Sequence, residues 1–387
     1  MTDSDPKAAL ATQCLHAGRH DHAAEHGLNT PIVNSTAFDY TRDDDVRYPR
    51  YLNTPNHRVV AACIAALESA DDALVTASGL GAISAIFMAL MKPGDHAILL
   101  DGLYGGTSDL CHGLLEPLGL HFSLWDGHPE SLVALITPAT RLALVESPTN
   151  PLLNVIDLER TAQCLRQHGV VSVIDNTFAT PILQRPIALG FDLVMHSGTK
   201  YLGGHSDLLC GAVAGSSALI EPIRRQAIRL GSSLNGVDLA LLERSLKTLH
   251  VRVERQSDNA LALAQWLSAH AAIERVYYPG LAEHPAHEAA ARQMSRFGGM
   301  LSFHLHADCA PDAFLQALRW MTPAVSLGGV ETTLCQPLYT SHAKLDANER
   351  ERLGITPQLM RMSVGIEAVD DLRWDLDQAL GVALEPS

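Results

Sequence analysis

The stretch that most constrains this chain is Phe191-Asp-Leu-Val-Met-His-Ser-Gly-Thr-Lys200-Tyr-Leu-Gly-Gly-His205-Ser-Asp207. A short apolar run, Phe191 to Met195, passes directly into small hydroxyl and glycine residues, then a single lysine, then more glycine. A mostly apolar run suits a parallel strand covered on both faces, and open α/β sheets bind ligands beyond the carboxyl ends of their strands. An amine placed there beside Ser197 and Thr199 can hold a carbonyl while hydroxyls and main-chain N–H groups hold an anion. Taken alone, the stretch also reads as a surface lysine in a glycine loop, so its weight depends on partners elsewhere in the chain.

Those partners are present. The run Gly169 to Ile174 reads as another strand and delivers Asp175 to its end. Ala73-Leu-Val-Thr-Ala-Ser78-Gly79-Leu80-Gly81 reads as strand, tight turn and start of a buried helix, whose first N–H groups lack intrahelical acceptors and attract an anion. A further strand, His96 to Asp101, runs into Tyr104-Gly105-Gly106, where the glycines let the ring swing over a flat ligand. Arg141 to Glu146 is a strand ended by a proline-locked loop carrying Asn150, followed by a helix from about Asp157 to His168. Strand and helix alternate from about residue 57 to 215, which predicts a mainly parallel sheet with helices on both faces. Pyridoxal phosphate presents a carbonyl, a phosphate and a pyridine nitrogen together, and it needs a lysine and a carboxylate. Lys200 and Asp175 are the candidates.

Composition narrows the class. With 28 Lys plus Arg against 43 Asp plus Glu, the net charge of −15 disfavours nucleic acid and anionic membrane as partners. No apolar run reaches the roughly 18 residues of a membrane span, and Met1 to Lys7 has no basic start leading to an apolar segment. A cytoplasmic location is therefore expected. The seven cysteines are scattered without C-x-x-C spacing and read as reduced. His16, His20, His22 and His26 read as part of a polar arm rather than as a metal set, and no metal is expected.

The chain divides into an extended arm (1–56), a large domain (57–245) and a smaller C-terminal α+β domain (246–387). A long helical pattern from Gly236 to His270 carries the chain between the last two, and residues 298 to 306 alternate like a half-buried strand. Loops around Ser326 and Arg361 follow. Arg361 lies in an apolar run, where it needs an anion: a substrate carboxylate, or an internal acid such as Glu367.

Six motifs, Ser-Gly-Leu-Gly-Ala-Ile, Tyr-Gly-Gly-Thr, Glu-Ser-Pro-Thr-Asn-Pro, Asp-Asn-Thr-Phe-Ala-Thr-Pro, His-Ser-Gly-Thr-Lys-Tyr-Leu-Gly-Gly-His-Ser-Asp and Arg-Met-Ser-Val-Gly-Ile-Glu, resemble those of the Cys/Met metabolism PLP-dependent enzymes from about Tyr48 to the C-terminal helix. That trans-sulfuration family includes cystathionine γ-synthase, the cystathionine β- and γ-lyases, methionine γ-lyase and the O-acylhomoserine sulfhydrylases. The resemblance implies the aspartate-aminotransferase type of PLP-dependent transferase fold and a homotetramer of tight dimers. It implies Lys200 as Schiff-base lysine and proton shuttle, Asp175 on the pyridine nitrogen and Tyr104 stacked on the ring. Gly79, Leu80, Ser197 and Thr199 would hold the phosphate, with Tyr48 and Arg50 reaching the neighbouring subunit's cofactor. Asn150 would lie by the phenolic oxygen, and Ser326 and Arg361 would hold the substrate carboxylate.

Departures from the family pattern sharpen the expected reaction. Leu52-Asn53-Thr54-Pro55-Asn56 differs from the usual turn, and Leu80 replaces a common methionine. Gly106 stands where methionine γ-lyases carry cysteine, which disfavours that activity. Asp109 stands where members that grip a distal carboxylate often have arginine, and Glu331 matches an acid that faces a distal amine. The expected function is a PLP-dependent cystathionine-type C–S lyase that eliminates a β or γ substituent through a lysine aldimine and a quinonoid. The alternative is γ-replacement, as in cystathionine γ-synthase or a sulfhydrylase.

Overall fold

The computed structural model describes residues 8–18, 27–42, 46–343 and 347–384. Twelve strands form two sheets among these residues. The first holds β1 (Asp72–Thr76), β2 (His96–Leu100), β3 (His121–Trp125), β4 (Thr140–Glu146), β5 (Val171–Asp175), β6 (Leu193–Ser197) and β7 (Gly211–Gly215). The second holds β8 (Ile273–Tyr277), β9 (Met300–Leu305), β10 (Thr322–Pro323), β11 (Thr333–Cys335) and β12 (Leu359–Ser363).

The larger sheet runs β1-β7-β6-β5-β4-β2-β3. Its β2–β3, β2–β4, β4–β5 and β5–β6 pairs are parallel, and β7 runs antiparallel to both β6 and β1. The exception follows from the connection: residues 198–210 between β6 and β7 contain no crossover helix, so the chain turns back instead of running parallel. Every residue of β2 is buried, as the apolar run of residues 97–100 requires of a strand covered on both faces, and the His96 ring at its head is met by Thr140 and Ser123 hydroxyls.

The helices follow local rules. In Leu158–Gln167, Leu158, Thr161, Ala162 and Leu165 recur at helical spacing and are buried, while the Asp157 side chain accepts the Arg160 N–H as N-cap. Full burial of each leucine stabilises by about 1.5–3 kcal/mol. The long pattern after Gly236 divides into Gly236–Leu246 and Leu249–Ser268, and at the break the Thr248 hydroxyl bonds back to the Ser245 carbonyl. The second of these helices places Leu249 and Val253 in a core against the large sheet, and Ala260, Leu263 and Leu267 in the core of the small one. One rigid element thus sets the two sheets relative to each other.

The arm is not wholly extended, because Leu10–His16 is a helix. It forms where Cys14 is buried against the helix Pro55–Glu68, beside a Cys63 Sγ hydrogen bond to the Ala17 carbonyl. His20, His22 and His26 lie outside the described residues. The departure at Leu52 to Asn56 has a clear geometry: Leu52 adopts φ +57°, the Thr54 side chain caps His57 N–H, and Pro55 opens the helix.

In the small sheet's core, Asp375 is fully buried and accepts three main-chain N–H groups, from Arg319, Trp320 and Met321, at 2.9–3.0 Å. Asp375→Asn substitutes a donor for one of the accepting oxygens, and we expect it to lower stability by about 2–4 kcal/mol, read as a fall in the thermal unfolding midpoint.

Candidate active site

Three neighbouring parallel strands end side by side, with Glu146 of β4 in register with Asp175 of β5, and Asp175 with Met195 of β6. Opposite them stands the N-terminus of the helix Gly79–Leu90, and Arg361 and Ser326 enter from the small sheet and its loops. Together they enclose a cavity of about 370 Å³ lined by Gly79, Leu80, Tyr104, Asn150, Asp175, Ser197, Thr199, Lys200, Ser326 and Arg361, all singled out in the sequence.

Lys200 leaves β6 on a turn in which its N–H bonds to the Ser197 carbonyl, and its Nζ donates to Ser326 Oγ at 2.7 Å. Burial first, and the Arg361 guanidinium second, pull its pKa down to about 8. Ser326 is held at φ +78°, a left-handed conformation unusual for serine, which aims its hydroxyl at the amine.

Asp175 is half-buried, and both Thr177 N–H and Thr177 Oγ1 donate to its Oδ1. Neither of these bonds uses Oδ2. Glu146, on the adjacent strand, accepts Tyr104 N–H on Oε2 and Asn150 N–H on Oε1, each at 3.0 Å. Burial pushes both carboxyls up, and the Asp175 charge adds to the rise at Glu146, which reaches about 8. The sequence had marked Glu146 only as the end of a strand. Its role as the clasp between the Tyr104 turn and the Asn150 loop depends on strand register, which no local pattern reveals.

The anion cradle is equally tight. A methyl group at Gly79 would come within 3.1 Å of Ser197 Cβ, so only glycine lets the helix start approach this strand end. Ser78 Oγ caps Gly81 N–H, leaving the first-turn N–H groups of Gly79 and Leu80 facing the cavity without helical acceptors. Thr199 lines the cavity, although its hydroxyl is already engaged with the Cys210 main chain. At the mouth, Tyr104 is 45% exposed, and a Cβ at Gly106 would meet its ring at 2.5 Å.

Arg361 does not pair with Glu367, which is spent on Thr332. Its guanidinium donates to Asn150 Oδ1 at 3.0 Å and to the Ser326 carbonyl at 3.2 Å, both neutral acceptors, so its charge remains available to an anion. Four expected site residues lie outside the cavity lining. Tyr48 and Arg50 sit apart, with the guanidinium 5.7 Å and 5.2 Å from the Tyr48 and Tyr51 rings. Asp109, near the end of the helix Gly105–Leu110, and Glu331, beyond the Ser326 loop, are exposed. Among the described residues no group of His, Cys, Asp or Glu is placed to hold a metal ion.

The residues present fit pyridoxal phosphate. Asp175, with Oδ2 outside the Thr177 bonds, would meet the ring nitrogen, and Lys200 and the Gly79 turn would take the carbonyl and the phosphate. We expect capture of pyridoxal phosphate by the cofactor-free protein to accelerate about tenfold per pH unit up to about 8, where Lys200 loses its proton, and then level off. An ordinary lysine would carry the rise to about 10.5; stopped-flow absorbance distinguishes the two.

The family model for Cys/Met metabolism PLP-dependent enzymes matches residues 11–381. The chain is 40% identical to the cystathionine beta-lyase of Coxiella burnetii over 386 residues, 98% of this chain and 99% of that one. It superposes on a cystathionine gamma-lyase from Lactobacillus plantarum complexed with L-serine with a TM-score of 0.94 at 36% identity, covering 97% and 99% of the two chains. A cystathionine gamma synthase from Xanthomonas oryzae pv. oryzae in complex with cystathionine gives 0.93 at 37%, covering 98% and 99%. With fold and nearly the full length in agreement, the chain belongs to the Cys/Met metabolism PLP-dependent enzymes.

Proposed function

We propose that this protein is a PLP-dependent carbon–sulfur lyase of the trans-sulfuration type that eliminates the β or γ substituent of cystathionine or a similar sulfur amino acid. The observation that carries this reading is the placing of Lys200, Asp175 and the uncommitted Arg361 around one cavity. It is supported by relatives named cystathionine beta-lyase and gamma-lyase.

When bound, pyridoxal phosphate supplies an electron-withdrawing ring that acidifies the Cα–H of an attached amino acid. Asp175 Oδ2 would hold the ring nitrogen in its protonated form, and Tyr104, at the cavity mouth, would cover the flat face. Arg361 and Ser326 hold the substrate carboxylate, which fixes the Cα–H toward Lys200. The Lys200 amine, its pKa drawn down to about 8, would be the base that takes that proton. The Tyr104 hydroxyl delivers a proton to the departing sulfur. For a γ substituent a second proton must leave Cβ, and Lys200 and Tyr104 are the groups placed to move it. Asp109 and Glu331 serve the distal ammonium of the substrate from the rim.

Tyr48 and Arg50, clustered outside their own chain's cavity, serve the phosphate of a neighbouring copy in a tetramer of tight dimers. The arm (1–56), large domain (57–245) and small domain (246–387) then divide the work: the arm serves the neighbour, the large domain holds the cofactor, and the small domain holds the substrate carboxylate. The seven cysteines are all free, as in a reducing cytoplasm. No helix among the described residues is long and apolar enough to cross a membrane.

With L-cystathionine we expect equimolar ammonia, ketoacid and thiol. Pyruvate with homocysteine marks β-elimination, and 2-oxobutanoate with cysteine marks γ-elimination. Lys200→Ala should lower kcat/KM at least about 10³-fold. Faster formation of cystathionine from O-succinylhomoserine and cysteine than its breakdown would instead identify a γ-replacement enzyme. Asp109→Asn should reduce the preference for cystathionine over O-succinylhomoserine about three- to tenfold, and an unchanged ratio would remove Asp109 from the rim's role.

A further inference from the structure

Directly behind the cavity lies a pair that the mechanism does not use. Met195 and Ser197 line the cavity, so the alternating side chain of His196 points to the opposite face of the sheet. There its Nε2 meets Glu68 Oε1 at 2.5 Å, with His196 at 1% and Glu68 at 0% exposure. The same Glu68 oxygen also accepts Asn176 Nδ2 at 3.3 Å, and Asn176 is the residue immediately after Asp175.

This arrangement is costly by every local criterion. Glu68 is the last residue of the helix Pro55–Glu68, where the helix dipole disfavours an acid. A buried pair seldom repays its desolvation. Among the described residues, Glu68 Oε2 and His196 Nδ1 are buried and have no hydrogen-bond partner. Stability does not explain the pair, and its geometry does: one oxygen joins the residue after Asp175 to the residue before Ser197. On the cavity side the same two strand ends are joined by Thr177 Oγ1, which donates to Asp175 Oδ1 and accepts Ser197 N–H at 2.8 Å.

We infer that Glu68 is a positioning residue for the cofactor site, a strut on the far face of the sheet that sets the spacing between the ends of β5 and β6. It thereby sets Asp175 against Ser197 and Lys200. Asn176 is further fixed by donating to the Gln184 carbonyl at 3.0 Å, so Glu68 joins a rigid loop to the lysine strand. The inference rests on Asp175 and Ser197 holding pyridoxal phosphate.

The test is equilibrium binding of pyridoxal phosphate to cofactor-free protein, together with the visible absorption band of the bound cofactor. Glu68→Ala should weaken binding at least tenfold and shift the band, whereas Glu68→Gln, which retains an accepting oxygen, should stay within about threefold of the native protein. His196→Ala and His196→Gln should repeat the contrast, since glutamine can still donate to Glu68; this second pair decides the matter should Glu68→Ala not fold. Asp375→Asn, destabilising but remote, should bind the cofactor normally. Normal binding by Glu68→Ala and His196→Ala would overturn the strut. So would losses in the glutamine variants equal to those in the alanine variants, or an equal loss in Asp375→Asn. Asp175→Asn separates the premise: if it binds and absorbs like the native protein, the cofactor assignment itself fails.

Discussion

A carboxylate held at the end of a parallel strand, in the wall of the cavity, is the constraint around which this molecule is arranged. Asp175, half-buried at the cavity wall, stands next to a buried acid, Glu146, and burial raises both carboxyls. The surroundings compensate without quenching the charge. Thr177 satisfies one oxygen, two main-chain N–H groups satisfy Glu146, and the second Asp175 oxygen is left for a ligand. A site built this way is incomplete alone, which is the expected condition of a protein whose chemistry belongs to a bound cofactor.

The two sheets divide that chemistry. Strand ends of the large sheet present Asp175 and Lys200, while β12 and the Ser326 loop bring Arg361 from the small sheet. Ser326 joins the halves, since its hydroxyl accepts from Lys200 and its carbonyl from Arg361. Its left-handed backbone is local strain kept at the point where Lys200 and Arg361 meet one residue. The helix Leu249–Ser268, buried in both cores, keeps the halves in register.

Much of this was legible in the sequence because strand-end chemistry is local. An apolar run followed by glycine, hydroxyl and lysine, or by aspartate, announces itself, and the same logic located Gly79, Tyr104 and Asn150. What stayed hidden depends on partners far along the chain. Glu146 and Thr177 gain their roles from register, and Glu68 meets His196 across 128 positions. The short helix Leu10–His16 forms through packing against another helix and not through its own period. Asp109 and Glu331 illustrate the converse: their residue types suggested a substrate contact, but both are exposed and stand outside the cavity lining. Tyr48 and Arg50 lie outside the lining of their own chain's cavity.

The most direct measurement is a crystal structure of the protein loaded with pyridoxal phosphate. The account predicts Lys200 Nζ bonded to the cofactor's aldehyde carbon, and Asp175 Oδ2 within about 3 Å of the ring nitrogen on the far side. A cofactor held by Lys200 with its ring nitrogen turned away from Asp175, or held elsewhere in the fold, would contradict it.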